Sequence, residues 1–234
     1  MTLSLCVREP YRTDNGREFR FGVAAATRLP GVGAICPFVS EHGAVAVQSH
    51  ASDWLGERTL AYLADGLAID DAVEALLAAD DNRRNRQLHG VDREGSVAVT
   101  GSGCVGVAGH REAGQFTVAG NLLADEGVLE ATAERYERAA FGEAPLAERL
   151  IDALAAGIDA GGDRREALSV GSAALKIVAT EEPAYRRFYN DLRVDASETP
   201  VADLRSSYEA ALLGYEQSLD AYADPEEIDA ARPE

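Results

Sequence analysis

The stretch TLSLCVREPYRTDNGREFRFGVAAATR, residues 2–28, decides how the rest of the chain is read. Leu3, Leu5 and Val7 alternate with Thr2, Ser4 and Cys6, the period of two expected of a strand with one face on a core. The cluster Asp14-Asn15-Gly16, inside residues 11–18, predicts a turn. FGVAAAT (21–27) then returns as the second strand of a hairpin. Two more apolar stretches follow, VGAICPFV (32–39) and GAVAVQS (43–49), split by the polar turn Ser40-Glu41-His42. Small residues dominate these strands, which suits sheets that other layers approach closely.

Helical periodicity takes over at 55–66 and 69–80, the second opening on acids that favour the helix dipole. Strands are predicted at 86–92, 96–101 and 115–120, helices at 125–140 and 145–162, and strands again at 172–179 and 191–194. A long amphipathic helix over 200–222 closes the order. GSGCVGVAG (101–109) reads as a glycine-rich loop, without the order of a dinucleotide fingerprint or the lysine of a P-loop. Strands clustered between helix blocks predict an α+β fold. Its expected form is a four-layer αββα sandwich, with helices 55–80 and 125–160 on opposite outer faces. Residues 1–222 form one domain in this reading, and 223–234 a disordered acidic tail.

Charge narrows the function classes. The chain has 40 acidic against 22 basic residues, a net charge of −18, and Lys176 is its only lysine. Such a surface repels phosphate backbones and anionic lipid, so neither nucleic acid nor a membrane is an expected partner. Acids spread along the whole chain fit a protein kept hydrated in salt, where the Debye length falls to about 3 Å at 1 M. Self-repulsion should then destabilise the fold at low ionic strength. Thermal midpoints taken from dilute buffer to molar KCl should rise by about 4–8 °C, the equivalent of ~2 kcal/mol in a chain of this size. A flat or falling series would remove salt adaptation from the account. No apolar run suggests a signal or a membrane span, so a cytoplasmic location is expected.

Cys6, Cys36 and Cys104 form no CxxC pair, and Cys6 and Cys36 read as small buried hydrophobes. His42, His50, His89 and His110 show no ligand spacing, so neither a metal nor another cofactor is implied. Thr2 carries the sharpest chemical signal. Removal of the initiator methionine before a small residue would leave it with a free α-amine, whose ordinary pKa near 7.7–8.0 lets it take the hydroxyl proton. Ser4 shares the face of Thr2 and is the alternative nucleophile. Arg28, at the end of the second hairpin strand, would bring positive charge beside them. His110 falls in the loop after Gly109, and Asp163 stands beside Arg164 after the paired glycines of AGGDRR (160–165).

These segments together resemble a known family. TLSLCVRE, GVAAATR (22–28), VGAICPF (32–38), GAVAVQS (43–49), TGSGC (100–104), AGH (108–110) and VAGNLL (118–123) carry the likeness. So do LAERLIDALAAGIDAGGDRR (146–165), SAAL (172–175) and DLRVD (191–195). In this order they look like family 1028 of the domains of unknown function, here as an acidic, haloarchaeal-type member. The resemblance implies an N-terminal-nucleophile hydrolase fold and supplies no substrate. GVAAATR also resembles the second strand of proteasome β-type subunits, with Arg28 matching their arginine but Ala26 standing where an acid is expected. What the resemblance implies is a hydrolase of amide bonds in a small, non-peptide or short peptide substrate, with Thr2 as nucleophile. Backbone N–H groups near Gln48, Ser49 and His50 would hold the oxyanion, and Asn121 would add a side-chain amide. His110 and Asp163 would line the substrate site. The alternative is a non-catalytic ligand-binding protein that keeps the fold; superfamily analogy also allows a homo-oligomer.

Overall fold

The computed structural model describes residues 1–14, 16–163, 165, 167–181 and 185–222, so the acidic tail 223–234 lies outside the described residues. The first hairpin outruns its apolar parts: β1 spans Thr2–Thr13 and β2 spans Gly16–Thr27. Residues around the predicted turn therefore pair in register, from Tyr11 opposite Glu18 to Thr13 opposite Gly16. Arginines hold this polar end together, with Arg20 over the ring of Tyr11 and Arg17 over that of Phe19.

Eight further strands and five helices complete the described chain. They run β3 (Pro37–Ser40), β4 (Gly43–Ser49), α1 (Asp53–Ala64), α2 (Ile69–Ala78), β5 (Arg86–Asp92), β6 (Ser96–Thr100), β7 (Val107–Glu112) and β8 (Phe116–Leu123). α3 (Gly127–Ala139), α4 (Leu146–Asp159), β9 (Gly171–Ala179), β10 (Asp191–Ser197) and α5 (Pro200–Tyr222) follow. Two expectations need correction. Residues 32–34 are a 3₁₀ turn and not the start of a strand: Gly31 takes a left-handed conformation (φ 82°) and the N–H of Val32 is held by the Ser172 hydroxyl. The glycine-rich segment after Thr100 enters β7, which places His110 on a strand and not in a loop.

Every pairing is antiparallel, in a six-stranded sheet of order β10-β9-β2-β1-β8-β7 and a four-stranded sheet of order β3-β4-β5-β6. The mixed α+β class is as the sequence predicts. Strand alternation sorts side chains into cores. Leu3, Leu5 and Val7 pack with Leu150, Ile151 and Leu154 of α4 and with residues of α3 and α5. Val45, Val47 and Leu88 of the smaller sheet pack with α1 and α2. Between the sheets lie Cys6, Val23, Ala25, Ala44, Ala46 and Ala174, small enough to let two backbones approach. Each fully buried Leu or Ile contributes about 1.5–3 kcal/mol.

Glu9 shows how one charge is carried into this interior. It is 4% exposed and accepts hydrogen bonds from the Tyr136 hydroxyl (2.8 Å) and from Arg149 of α4 (2.7 Å). Burial alone would raise its carboxyl, but the Arg149 hydrogen bond and charge outweigh burial and hold it below its ordinary value. No described helix is long and apolar enough to cross a membrane.

Candidate active site

The start of β1 lies at the centre of the larger sheet, between Thr27 of β2 and Asn121 of β8, both directly opposite Thr2. Directly opposed residues share a face, so Thr2, Thr27 and Asn121 turn toward the smaller sheet, while Met1, like Leu3, turns toward the helices. The Thr2 and Thr27 hydroxyls are 3.5 Å apart. Met1 is buried, 2% exposed, at the wall of a cavity of about 770 Å³. Ile151, Ala155, Ile158, Leu168 and Val201 give that cavity apolar walls, and Arg28 and Asp163 polar ones.

The Met1 backbone is gripped at both ends. Its amine sits 2.6 Å from Asp163 Oδ2, and its carbonyl accepts from the Thr27 hydroxyl and, at 3.5 Å, from Arg165 Nη2. Burial pushes the amine down to about 6, against the opposing pull of Asp163. Burial would raise Asp163, but hydrogen bonds from Arg165 and the amine outweigh it and hold the carboxyl down to about 2. Arg165 pairs with Asp163 at 2.7 Å; Arg164, its expected neighbour, lies outside the described residues. The ordinary Asp163 value is 3.8, so its contribution is fully present above that pH and lost as pH falls toward 2. In the Met1-bearing chain this acid limb amounts to about 2 kcal/mol. Urea unfolding across that window should show it in wild type and not in Asp163→Asn; equal slopes in both would contradict the pairing.

A second polar cluster lies between the sheets, and its proton directions can be followed. Gln87 Nε2 faces the carbonyls of Gly109 and Gly120, each at 2.9 Å, which can only accept. Its Oε1 therefore accepts from Gln48 Nε2 (2.9 Å) and Asn121 Nδ2 (3.0 Å). Gln48 Oε1 is left to accept the Ser4 hydroxyl (3.0 Å). Ser4, its proton committed, accepts from His89 Nε2 at 2.6 Å, and His89 Nδ1 accepts from the Thr117 hydroxyl at 2.8 Å. Burial, with a smaller push from the charge of His110, lowers His89 to about 3 and keeps it neutral. Ser4 and His89 are both fully buried, and in this arrangement the imidazole gives a proton to Ser4 and does not take one.

The sequence-predicted residues divide accordingly. Thr2, Asn121, Arg28 and Asp163 gather around the start of β1, Arg28 through hydrogen bonds to the carbonyls of Arg165 (3.0 Å) and Leu168 (3.2 Å). Ser4 and Gln48 join the inter-sheet cluster. Ser49 (φ 68°) and His50 stand exposed at the end of β4, and the His50 N–H is spent on the Asn85 carbonyl at 3.0 Å, so it is not free for an oxyanion. His110 is exposed on β7, 2.9 Å from Thr100 Oγ1. Thr27, Gln87, His89, Thr117 and Arg165 were not singled out. The available signal was alternation: Gln87 and His89 are polar at every second position of a strand whose seven residues are all buried, a pattern that requires internal partners.

A model of the family described as "Family of unknown function (DUF1028)" matches residues 2–204. A solved protein of Silicibacter pomeroyi assigned to that family superposes with a TM-score of 0.75 at 27% identity, over 99% of this chain and 90% of the other. A Thiobacillus denitrificans BPH in complex with epoxomicin gives a TM-score of 0.40 at 12% identity, over 78% of this chain and 100% of the other, too remote a likeness to argue from. No curated protein shows significant similarity to the chain.

Proposed function

This chain belongs to the DUF1028 family, whose function is unknown, and within it we propose a hydrolase of small amides that works through an N-terminal nucleophile, Thr2. The observation that carries the reading is the setting of the chain start: Thr2 opens the central strand, and the residue before it is held in a walled cavity by groups suited to an amine and a carbonyl. Two antiparallel sheets between helix layers agree with the αββα arrangement of N-terminal-nucleophile hydrolases.

With Met1 removed, the Thr2 amine is the base. The ordinary α-amine value near 7.7–8.0 leaves an appreciable fraction of that amine unprotonated near neutrality. Thr2 Oγ1 attacks the substrate carbonyl carbon and its proton passes to the amine. The carbon–nitrogen bond then breaks, the leaving amine takes that proton, and water hydrolyses the Thr2 ester by the same route in reverse. Arg28 contributes positive charge at the cavity wall, Asn121 borders the nucleophile, and Ser4 supports the strand from below.

The competing reading is a binding protein that keeps Met1, favoured by the depth of Met1 burial and its contact with Asp163. A panel of small amides and lactams decides between them. Turnover by protein whose intact mass lacks methionine supports the hydrolase. A protein that retains methionine and turns over none of them supports the binder.

A further inference from the structure

Met1, at the wall of the cavity, is held as a ligand would be. Its α-ammonium meets a carboxylate at 2.6 Å, its carbonyl meets the Thr27 hydroxyl and Arg165, and its unbranched thioether chain lies among apolar side chains of the helix-side core. These are three separate recognitions of one L-aminoacyl group, and they survive when methionine leaves because none of the groups making them belongs to Met1. We infer that the vacated Met1 position is the substrate's acyl subsite, and that the substrate is an amide of an L-amino acid with a free α-amine and an unbranched apolar side chain, such as a methionyl or norleucyl amide.

This rests on the proposed removal of Met1 and deepens it. A carbonyl seated at the Met1 position stands beside both the amine and the hydroxyl of Thr2, because the Met1 carbonyl carbon is the atom bonded to Thr2 N. Thr27 and Arg165, which donate to that carbonyl oxygen in the Met1-bearing chain, then become donors to the oxyanion that forms on attack. Asp163 selects the free amine. Arg165 pairs with Asp163 at 2.7 Å, a second cation that favours the ionised carboxylate. The cavity of about 770 Å³ extends past Met1, leaving space for the leaving amine.

The test uses the full chain beginning at Thr2, obtained by cleaving a fusion and verified by mass, with Thr2→Ala so that binding is read without turnover. L-Methionine amide, its D enantiomer and N-acetyl-L-methionine amide are titrated by calorimetry. A charge-assisted hydrogen bond at a buried site predicts on the order of 30-fold weaker binding for the acetylated ligand, and comparable loss for the D form. Asp163→Asn should weaken only the free-amine ligand. The Met1-bearing chain should bind none of the three, its own methionine filling the site. Equal affinity for free and acetylated ligands, or no saturable binding of L-methionine amide up to about 20 mM, overturns the inference, and the ligand comparison needs no change at Asp163. Labelling of Thr2 by a β-lactone, measured in parallel on the chain with Thr2 intact, reports on the nucleophile alone. Labelling without amine selectivity ends this inference and spares the hydrolase; selectivity without labelling does the reverse.

Discussion

Thr2→Ala, in the chain that begins at residue 2, should lower amide turnover by on the order of 10⁴–10⁶-fold while leaving the fold intact. Alanine keeps the strand and the α-amine but removes the hydroxyl oxygen at the terminus. The stability cost is small, because the Thr2 hydroxyl makes only a 3.5 Å contact with Thr27. Thr2→Ser should retain turnover, since the hydroxyl and the amine both remain. Ser4→Ala is the discriminating control. It leaves His89 Nε2 without its partner and Gln48 Oε1 with only the weak Cys36 thiol donor, which costs about 1–3 kcal/mol for the unpaired imidazole N–H, yet Thr2 keeps its nucleophile. Loss of turnover with Ser4→Ala alone, in protein that remains folded, would move the nucleophile two residues inward and contradict the assignment.

The largest expected effect on stability comes from His89. Its ordinary value of 6.5 is lowered to about 3 in the folded protein, chiefly by burial. Between those values the unfolded chain binds a proton that the native one refuses, so stability rises with pH across the window and is lost on acidification. The stability is fully present above 6.5 and declines by about 4 kcal/mol as pH falls toward 3. Most of this limb lies above the one assigned to Asp163, the two overlapping only between about 3 and 3.8. His89→Gln should be less stable at neutral pH, because Ser4 and Thr117 lose well-placed partners, and its acid limb should be flatter between those values. Identical slopes in wild type and variant would mean that His89 does not titrate as a buried neutral imidazole.

Much of the architecture is legible wherever one period holds over a whole element. Leu3, Leu5 and Val7 announce β1, and the described residues Pro200–Tyr222 form the helix α5 that the amphipathic pattern predicts. The polar half of the first hairpin is not legible, because Glu9 is buried only by grace of Arg149, 140 residues along the chain. β7 escapes for another reason: the register shift between Val107 and Gly109 breaks the alternation that would mark a strand. The nucleophile candidate is visible from its place at the head of β1. Its surroundings are not, since Asp163 reaches Met1 across 162 residues and Thr27 acts through a hydroxyl that looks like any other strand threonine. Gln48 and Asn121 enter the sequence reading only through the family resemblance, as parts of an oxyanion site. That they meet through Gln87 is a property of two sheets stacked face to face, which no local pattern encodes.

The most direct test of the central claim is a mass measurement on purified protein before and after reaction with a β-lactone, followed by peptide mapping. The account predicts an intact mass lacking one methionine and a single adduct on the hydroxyl of Thr2, absent from Thr2→Ala. A protein that retains Met1 throughout the population, or one that lacks it and carries its adduct on another residue or none at all, would contradict it.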